Sequence, residues 1–324
     1  MRVLVTGGAG YIGAVTAAGL LQAGHDVTVL DDLRAGHRDA VPAGARFVRG
    51  EVQDRAVTGS LVAGGLDACV HFAASIEAGE SMRRPQAFFA NNTAGTLQLL
   101  DTLVEGGVER FVLSSTAAVY GEPRSLPIGE DDPTQPTNAY GESKLLVERA
   151  LGWLHRLRGL RFAALRYFNA AGAAGGRGER HDPETHLIPI VLQAAAGERG
   201  AVAVYGTDYP TPDGTCVRDY VHVADLADAH VRALDRLDTH RRLVCNLGNG
   251  TGFSVREVIG SARRVTGAGI DVQHAARRDG DPAVLVASSQ RARRLLGWAP
   301  AHPGIDDIVA SAWEARRQRP GAGT

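Results

Sequence analysis

The sequence predicts an α/β fold built on a doubly wound parallel sheet, in which helices cover both faces of the sheet. The first observation is that short apolar, β-branched segments alternate with segments of helical periodicity from the start of the chain. The second is that these apolar segments are continuous, as expected for strands buried on both faces. The third is that many of the 40 glycines end apolar segments, where tight turns are needed. A chain of 324 residues accommodates one large domain or two smaller ones.

The individual elements follow from these patterns. Buried strands are predicted at residues 3–6, 27–30, 47–50, 68–74, 111–115 and 162–168. Helices are predicted between them at residues 12–23, 90–105 and 140–157. In such sheets ligands bind at the carboxyl ends of the strands, so the residues that follow the strands are the candidates for a functional site.

The composition changes after residue 168. Residues 170–186, AAGAAGGRGERHDPETH, are rich in glycine and polar residues and predict a long surface loop, followed by a helix at 187–196. We therefore predict a first domain of residues 1–168 and a smaller mixed α/β domain of residues 169–324. A helix and a strand within 219–248 are expected to return to the main sheet, and residues 316–324 to form a frayed tail.

Charge and cysteine content exclude several classes of protein. The net charge is −1 and the pI about 6.8, so nothing favours nucleic acid or an anionic membrane as a partner. Cys69, Cys216 and Cys245 are odd in number and widely spaced, which argues against a disulfide framework and a zinc site. The strand-like start MRVLVTGG and the lack of a long apolar run favour a cytoplasmic protein without a metal.

A glycine-rich loop, VTGGAGYIG, joins the first strand to the first helix. Gly7 permits the turn, Gly10 allows close approach of a pyrophosphate, and Gly13 allows the helix to pack closely. The spacing differs from GxGxxG, and a simple strand-to-helix turn is the alternative. Asp31 follows by about 20 residues, as a dinucleotide-binding unit requires. A carboxylate there accepts hydrogen bonds from the adenosine ribose and repels a 2′-phosphate, which favours NAD over NADP; the alternative is a solvated loop acid.

Tyr140 and Lys144 lie one helical turn apart in the segment NAYGESK. An ordinary tyrosine has a pKa of about 10, too high for a general base, and a neighbouring cation would lower it. Ser114, Ser115 and Thr116 end a predicted strand at the same edge, with hydroxyls that could orient a substrate alcohol. A tyrosine and a lysine at this spacing also occur by chance. The order of glycine loop, acid, hydroxyl strand and helix favours a single site in which Tyr140 handles a proton.

Several further motifs carry a family resemblance. They are HFAA, AGES, SSTAAVYG, YGESK, LRYFNAAGA, DYPTPDGTCVRDYVHVADLA and RRDGDPA, in addition to the glycine loop. With them the chain resembles the extended short-chain dehydrogenase/reductase family, whose core is a Rossmann fold, and within it the UDP-glucose 4-epimerase family. The resemblance extends from the first strand to LLGWAP near the C-terminus. The last three motifs go beyond the generic fold, so the resemblance is specific.

The resemblance implies roles for individual residues. Tyr140 would be the base, Lys144 would bind the nicotinamide ribose and lower the tyrosine pKa, and Thr116 would bond the sugar hydroxyl. An NAD site is implied at Gly7, Gly10, Tyr11, Ile12, Gly13, Asp31, Asp32, Glu51, Val52, Phe72, Ala73, Ala74, Asn92, Ser114, Tyr140, Lys144 and Tyr167. A nucleotide-sugar site is implied at Thr116, Tyr140, Asn169, His186, Leu187, Tyr205, Arg218, Arg278 and Asp281.

The chemistry of the nucleotide-sugar residues fits their implied roles. Two arginines hold a diphosphate through charge-assisted hydrogen bonds, Asp281 accepts from ribose hydroxyls, and Tyr205 lies against uracil. As alternatives, Arg218 pairs with Asp219 or Asp225, or Tyr205 belongs to the core.

Several positions depart from common family forms, beginning with Ala14 and Val15, which replace a Ser-His pair after the glycine loop. Glu51 replaces an aspartate that contacts adenine, and Ile76 replaces a lysine near the cofactor phosphates. His186 stands where asparagine is frequent. Leu285 falls where a residue gates the sugar pocket, and its intermediate size leaves the fit of an N-acetyl group undecided.

The implied reaction is reversible epimerisation at C4 of a UDP-hexose, UDP-glucose or UDP-galactose, through a 4-keto sugar with bound NAD. Alternatives are a 4-epimerase of a UDP-N-acetylhexosamine, UDP-uronate or UDP-pentose, a dehydratase, and a non-catalytic NAD-binding protein. A dehydratase is disfavoured because Ala117 and Ala118 follow Thr116 in place of an acid/base pair. A homodimer is also implied, through apolar stripes on the helices at 92–105 and 140–157, although burial within the monomer would explain these stripes equally well.

Overall fold

The computed structural model describes residues 1–278 and 281–318. Its strands are β1 (Arg2–Thr6), β2 (Asp26–Asp31), β3 (Arg46–Arg49), β4 (Ala68–His71), β5 (Arg110–Thr116), β6 (Arg161–Tyr167), β7 (Asn169–Ala171), β8 (Ala173–Ala174), β9 (Arg177–Gly178), β10 (Val202–Tyr205), β11 (Val217–Arg218), β12 (Tyr220–His222), β13 (Arg242–Leu247), β14 (Phe253–Ser254), β15 (Val272–Ala275) and β16 (Val284–Leu285).

The helices are α1 (Tyr11–Gln22), α2 (Arg55–Ala63), α3 (Ala78–Arg83), α4 (Pro85–Phe88), α5 (Thr96–Glu105), α6 (Ala139–Arg158), α7 (Leu187–Ala195), α8 (Val223–Arg236), α9 (Val255–Thr266), α10 (Gln290–Leu296) and α11 (Ile305–Arg317). A π-helical segment, Phe89–Gly95, joins α4 to α5, so the predicted helix at 90–105 contains a wider turn at its start.

The main sheet has seven strands in the order β13-β6-β5-β4-β1-β2-β3, and all of its pairs are parallel. This confirms the predicted doubly wound α/β class. One predicted strand, 68–74, is too long, since β4 ends at His71. Its last residues turn away because they pack against the glycine loop: a Cβ on Gly7 would lie 2.6 Å from Ala73 N.

Helices cover both faces, and the strand side chains alternate between two cores. Val3 and Val5 of β1 belong to a core with α1 and α8, while Leu4 packs on the opposite face with α2, α5 and α6. All three are fully buried. Burial of one such side chain contributes about 1.5–3 kcal/mol to stability.

The second half builds a third core and also completes the main sheet. Ile188, Val191, Val258 and Ile308, from α7, α9 and α11, pack together beside the β10–β15 pair. Helix α8 packs on α1, and β13 pairs with β6 at the edge of the sheet. The domain boundary at residue 168 stays a prediction.

Two predictions for the second half need correction. The predicted loop at 170–186 contains short strands: β7 pairs with β12, and β8 with β9. The predicted frayed tail begins too early, because α11 continues through Arg317 and Arg316 contacts Glu198. Residues 319–324 of that predicted tail lie outside the described residues. None of the helices within residues 1–278 and 281–318 is both long and apolar enough to cross a membrane.

Candidate active site

The glycine loop leaves the beginning of α1 open to an anion. Gly7 has a φ of 69°, which favours glycine, and Gly10 is the N-cap of α1. No side chain caps this end, and its first turn carries no acid. A Cβ on Gly13 would lie 2.2 Å from Gly7 O, so the helix approaches the loop as closely as glycine permits. The free amides of Tyr11, Ile12 and Gly13 therefore fit a pyrophosphate.

Asp31 lies at the end of β2 and is only 7% exposed. Its Oδ2 accepts from Ala9 N at 2.9 Å and its Oδ1 from Leu33 N at 2.8 Å. Burial raises its pKa, and these two hydrogen bonds oppose the rise. Each oxygen keeps a second acceptor position, which fits the ribose hydroxyls of NAD.

Most of the other residues predicted on the adenosine side are more exposed than Asp31. Asp32 accepts from the backbone and the guanidinium of Arg34, the latter at 2.7 Å. Glu51 is exposed and accepts from Gln53, while Val52 is buried. Phe72 packs on the ring of His230 at 4.7 Å, and Ala73 and Ala74 continue the loop after β4.

The side chain of buried Asn92 is hydrogen-bonded within the protein. Its Oδ1 accepts from Ser75 N and from Asn91, and its Nδ2 donates to Ser75 O and to Ser143 Oγ. All the hydrogen-bonding capacity of this amide is thus used by the protein. Asn92 ties the loop after β4 to α6, and its implied contact with NAD stays a prediction.

Tyr140 and Thr116 meet at the carboxyl ends of the strands. Asn138 caps α6 by accepting from Gly141 N at 2.8 Å, which places Tyr140 in the first turn. The pKa of Tyr140 is raised to about 12, mainly by desolvation. A hydrogen bond with Thr116 lowers this pKa, and the negative charge of Glu77 raises it further. Thr116 itself begins the turn Ala117–Val119 and accepts from Ala118 N. The arrangement is a tyrosine hydroxyl paired with a threonine hydroxyl.

Lys144 is buried, and its Nζ donates to Ser114 O at 3.0 Å. Burial lowers its pKa to about 8, which the charge of Glu148 partly opposes. We predicted that Lys144 would lower the pKa of Tyr140. In the folded protein the pKa of Tyr140 is raised instead, because desolvation of the phenol has a larger effect than the neighbouring groups. Lys144 remains mostly charged at pH 7, one turn from Tyr140.

Ser114, which accepts from Lys144 through its backbone oxygen, also contacts the neighbouring strand β6. Its hydroxyl bonds the hydroxyl of Tyr167 at 2.5 Å, at the end of β6. Burial, followed by the charge of Tyr140, raises the pKa of Tyr167. Asn169 lies two residues further on, and its Nδ2 donates to Asp219 O at 3.1 Å. Asn169 thus contacts the backbone of Asp219, the residue after Arg218.

The residues predicted to hold a nucleotide form two pairs. Arg218 donates to Asp281 at 2.6 Å, so it pairs with neither Asp219 nor Asp225. The guanidinium of Arg278 lies 3.9 Å from the ring centre of Tyr205, which is 36% exposed and is therefore not a core residue.

His186 stands at the N-cap of α7, where its Nδ1 contacts Glu184 at 2.8 Å, and Leu187 begins that helix. Hydrogen bonding to Glu184 and nearby negative charges outweigh burial and raise the pKa of His186.

Two features of the site escaped the sequence reasoning. Buried His71 lies between Thr6 Oγ1 at 2.7 Å and Thr96 Oγ1 at 2.9 Å, beneath the glycine loop. Glu77, which immediately precedes the motif AGES, had no assigned role, yet its charge acts on Tyr140. The available signals were a strand-end histidine in HFAA and an acid directly before AGES.

Short-chain dehydrogenases/reductases use a tyrosine, a lysine and a hydroxyl side chain at the carboxyl edge of a dinucleotide-binding sheet. The fold and the site of this chain have the same arrangement and place it in that class. More narrowly, the sequence model of the NAD dependent epimerase/dehydratase family matches residues 3–248. The chain belongs to this family, which confirms the prediction of NAD as cofactor.

Proteins of known name are similar to this chain over nearly its whole length. UDP-glucose 4-epimerase of Streptomyces lividans is 51% identical over 321 residues, covering 98% of this chain and 97% of the relative. That of Corynebacterium glutamicum is 50% identical over 313 residues, covering 97% and 95%. The crystal structure of UDP-glucose 4-epimerase from Bifidobacterium longum in complex with NAD+ and UDP superposes with a TM-score of 0.94 at 38% identity, covering 100% of each chain.

Proposed function

We propose that the chain is an isomerase that reversibly inverts C4 of UDP-glucose and UDP-galactose with NAD held as a resident cofactor. The observation that carries this proposal is the hydrogen-bonded pair of Tyr140 and Thr116, with buried Lys144 one helical turn from the tyrosine. The full-length similarity to enzymes named UDP-glucose 4-epimerase supports the choice of substrate.

The residues divide the work as follows. Bound NAD supplies a reversible hydride acceptor at C4 of the sugar. Tyr140 takes the proton of the C4 hydroxyl and later returns it to the same oxygen. Thr116 orients that oxygen, and the ammonium of Lys144 favours the phenolate that forms on Tyr140. Since desolvation opposes ionisation of Tyr140, the reaction depends on positive charge near the phenol.

Inversion requires a firm hold on the nucleotide and a loose hold on the sugar, because the sugar must present its other face. We assign the firm hold to Arg218, Asp281, Arg278 and Tyr205, whose charges and ring suit a diphosphate, a ribose and a base. Asn169, His186 and Leu187 would line the substrate between the two ends. The amides of α1 and the carboxylate of Asp31 would hold NAD.

The rival functions differ at defined positions. A dehydratase needs an additional acid/base pair, whereas the turn after Thr116 carries alanines at 117 and 118. Other UDP-sugars would meet Leu285, which pairs with Arg218 in the β11–β16 ladder. A non-catalytic protein would need neither Tyr140 nor Lys144.

The first experiment offers the purified protein UDP-glucose, UDP-galactose, their N-acetyl forms, a UDP-uronate and a UDP-pentose, and follows C4 epimers by NMR. We expect interconversion of UDP-glucose and UDP-galactose. Tyr140→Phe should reduce the rate by about 10²–10⁴-fold while NAD and UDP still bind, because only proton transfer is lost. An unchanged rate would remove Tyr140 from this role, and conversion of another sugar alone would correct the substrate.

We also propose a cytoplasmic homodimer with a role in galactose metabolism. The three cysteines are buried and unpaired, as suits a reducing compartment. Leu97 of α5 and Trp153 and Leu157 of α6 are large apolar side chains exposed on adjacent helices, which supports association through these two helices.

A further inference from the structure

Residues 172–186, here called the strap, are fastened to the loop that follows β2. Arg180 makes a bidentate contact with Asp39, at 2.9 Å and 2.7 Å. Arg177 Nε donates to Ala40 O at 2.7 Å. The receiving loop itself lies on the glycine loop, because His37 N donates to Ala9 O at 2.8 Å.

The strap is also fastened to two other segments at the carboxyl edge. His181 Nε2 lies 2.9 Å from Glu77 Oε1, in the loop after β4. The contact is an ion pair when His181 carries a proton; it raises the pKa of His181 and holds that of Glu77 at about 2. Tyr11, the first residue of α1, donates its hydroxyl to Gly172 O at 2.6 Å.

The sheet order shows what lies between these attachments. Strands β2 and β4 flank β1, so Asp39 and Glu77 belong to loops on opposite sides of the glycine loop. Two strand spacings separate such loops at their base by about 10 Å. The neighbouring residues Arg180 and His181 bridge that gap, one reaching each side.

We propose that the strap crosses the dinucleotide groove over the glycine loop and determines how long NAD stays bound, with Arg180 and His181 as its positioning residues. The inference rests on the proposed function, in which the hydride taken from one face of the sugar must still be present when the other face is offered. Asp39 is largely exposed, so its ion pair is weak enough to open for cofactor exchange.

The experiment measures release of labelled NAD from the holoenzyme into excess unlabelled NAD. Arg180→Asp and Asp39→Arg each place like charges together and should accelerate release by about threefold to tenfold. The double variant, Arg180→Asp with Asp39→Arg, should restore slow release. Arg199→Ala, which removes an exposed arginine outside the strap, serves as the matched control and should leave release unchanged.

The outcomes separate the two proposals. Wild-type release rates in both single variants, or no recovery in the double variant, would overturn the strap as a determinant of retention while leaving the epimerase proposal intact. A wild-type protein that holds NAD but converts no UDP-sugar would overturn the function alone. His181→Gln tests the other anchor in the same assay and should also release NAD faster.

Discussion

Gly13 determines how close α1 comes to the loop that precedes it. An alanine methyl there would lie 2.2 Å from Gly7 O, so the helix or the loop must shift. We expect Gly13→Ala to destabilise the protein by about 1–3 kcal/mol and to weaken NAD binding, measured by urea unfolding and NAD titration. Gly19→Ala in the same helix is the control: its methyl meets only Val231 at 3.6 Å, and it should be neutral or stabilising. Equal effects in the two variants would refute the steric explanation.

The pKa values of Tyr140 and Lys144 are shifted in opposite directions from their ordinary values. Burial raises the pKa of the phenol to about 12 and lowers that of the ammonium to about 8. Both shifts have one physical cause, since a low-dielectric environment penalises whichever form is charged. Ionisation of the phenol therefore requires positive charge that comes close to it, such as the charge of a bound nicotinamide ring.

At the scale of elements, α6 serves two purposes along its 20 residues. Its first turns carry Tyr140 and Lys144, while its C-terminal half presents Trp153, which is 58% exposed, and Leu157, which is 72% exposed. A homodimer through α5 and α6 would cover this surface and fix the helix that positions the tyrosine.

The dimer can be tested on that surface. Trp153→Glu should shift the protein toward monomer in analytical ultracentrifugation, because a buried carboxylate is costly at an apolar interface. Arg158→Glu, beyond the apolar pair at the end of α6, is a charge-changing control. A wild-type protein that is already monomeric at micromolar concentration would contradict the proposed assembly.

The π-helical segment before α5 is a second element with a specific effect. Its wider turn carries Asn92, whose amide joins Ser75 to Ser143. Segments of this kind are frequent at functional sites because they redirect one side chain within a helix. Here the redirected side chain holds the loop after β4 against α6.

For the whole molecule, buried neutral histidines make stability depend on pH. Burial lowers the pKa of His71 to about 3 and that of His230 to about 4. In the unfolded chain both take up a proton near pH 6.5, so the folded state loses stability as the pH falls below that value. Between pH 6.5 and 5 each histidine should contribute a slope approaching about 1.4 kcal/mol per pH unit.

Urea unfolding at pH 7, 6 and 5 measures this slope. His71→Gln should make the dependence shallower by the share of one histidine, whatever its effect on stability at pH 7. His274→Gln, at an exposed position of β15, should leave the dependence unchanged. A slope unaffected by His71→Gln would show that other groups control acid stability.

The sequence by itself determined the parallel sheet, the glycine loop, the acid after β2 and the spacing of Tyr140 and Lys144. These depend on local periodicity and on residues within a few turns of each other, which a linear sequence records directly. Tertiary structure alone decided the partner of Arg218, the internal use of the Asn92 amide, the pKa of Tyr140 and the contact between Arg180 and Asp39. Each of these depends on burial or on groups separated by many residues, and folding creates such proximity only when the sheet and its loops are assembled.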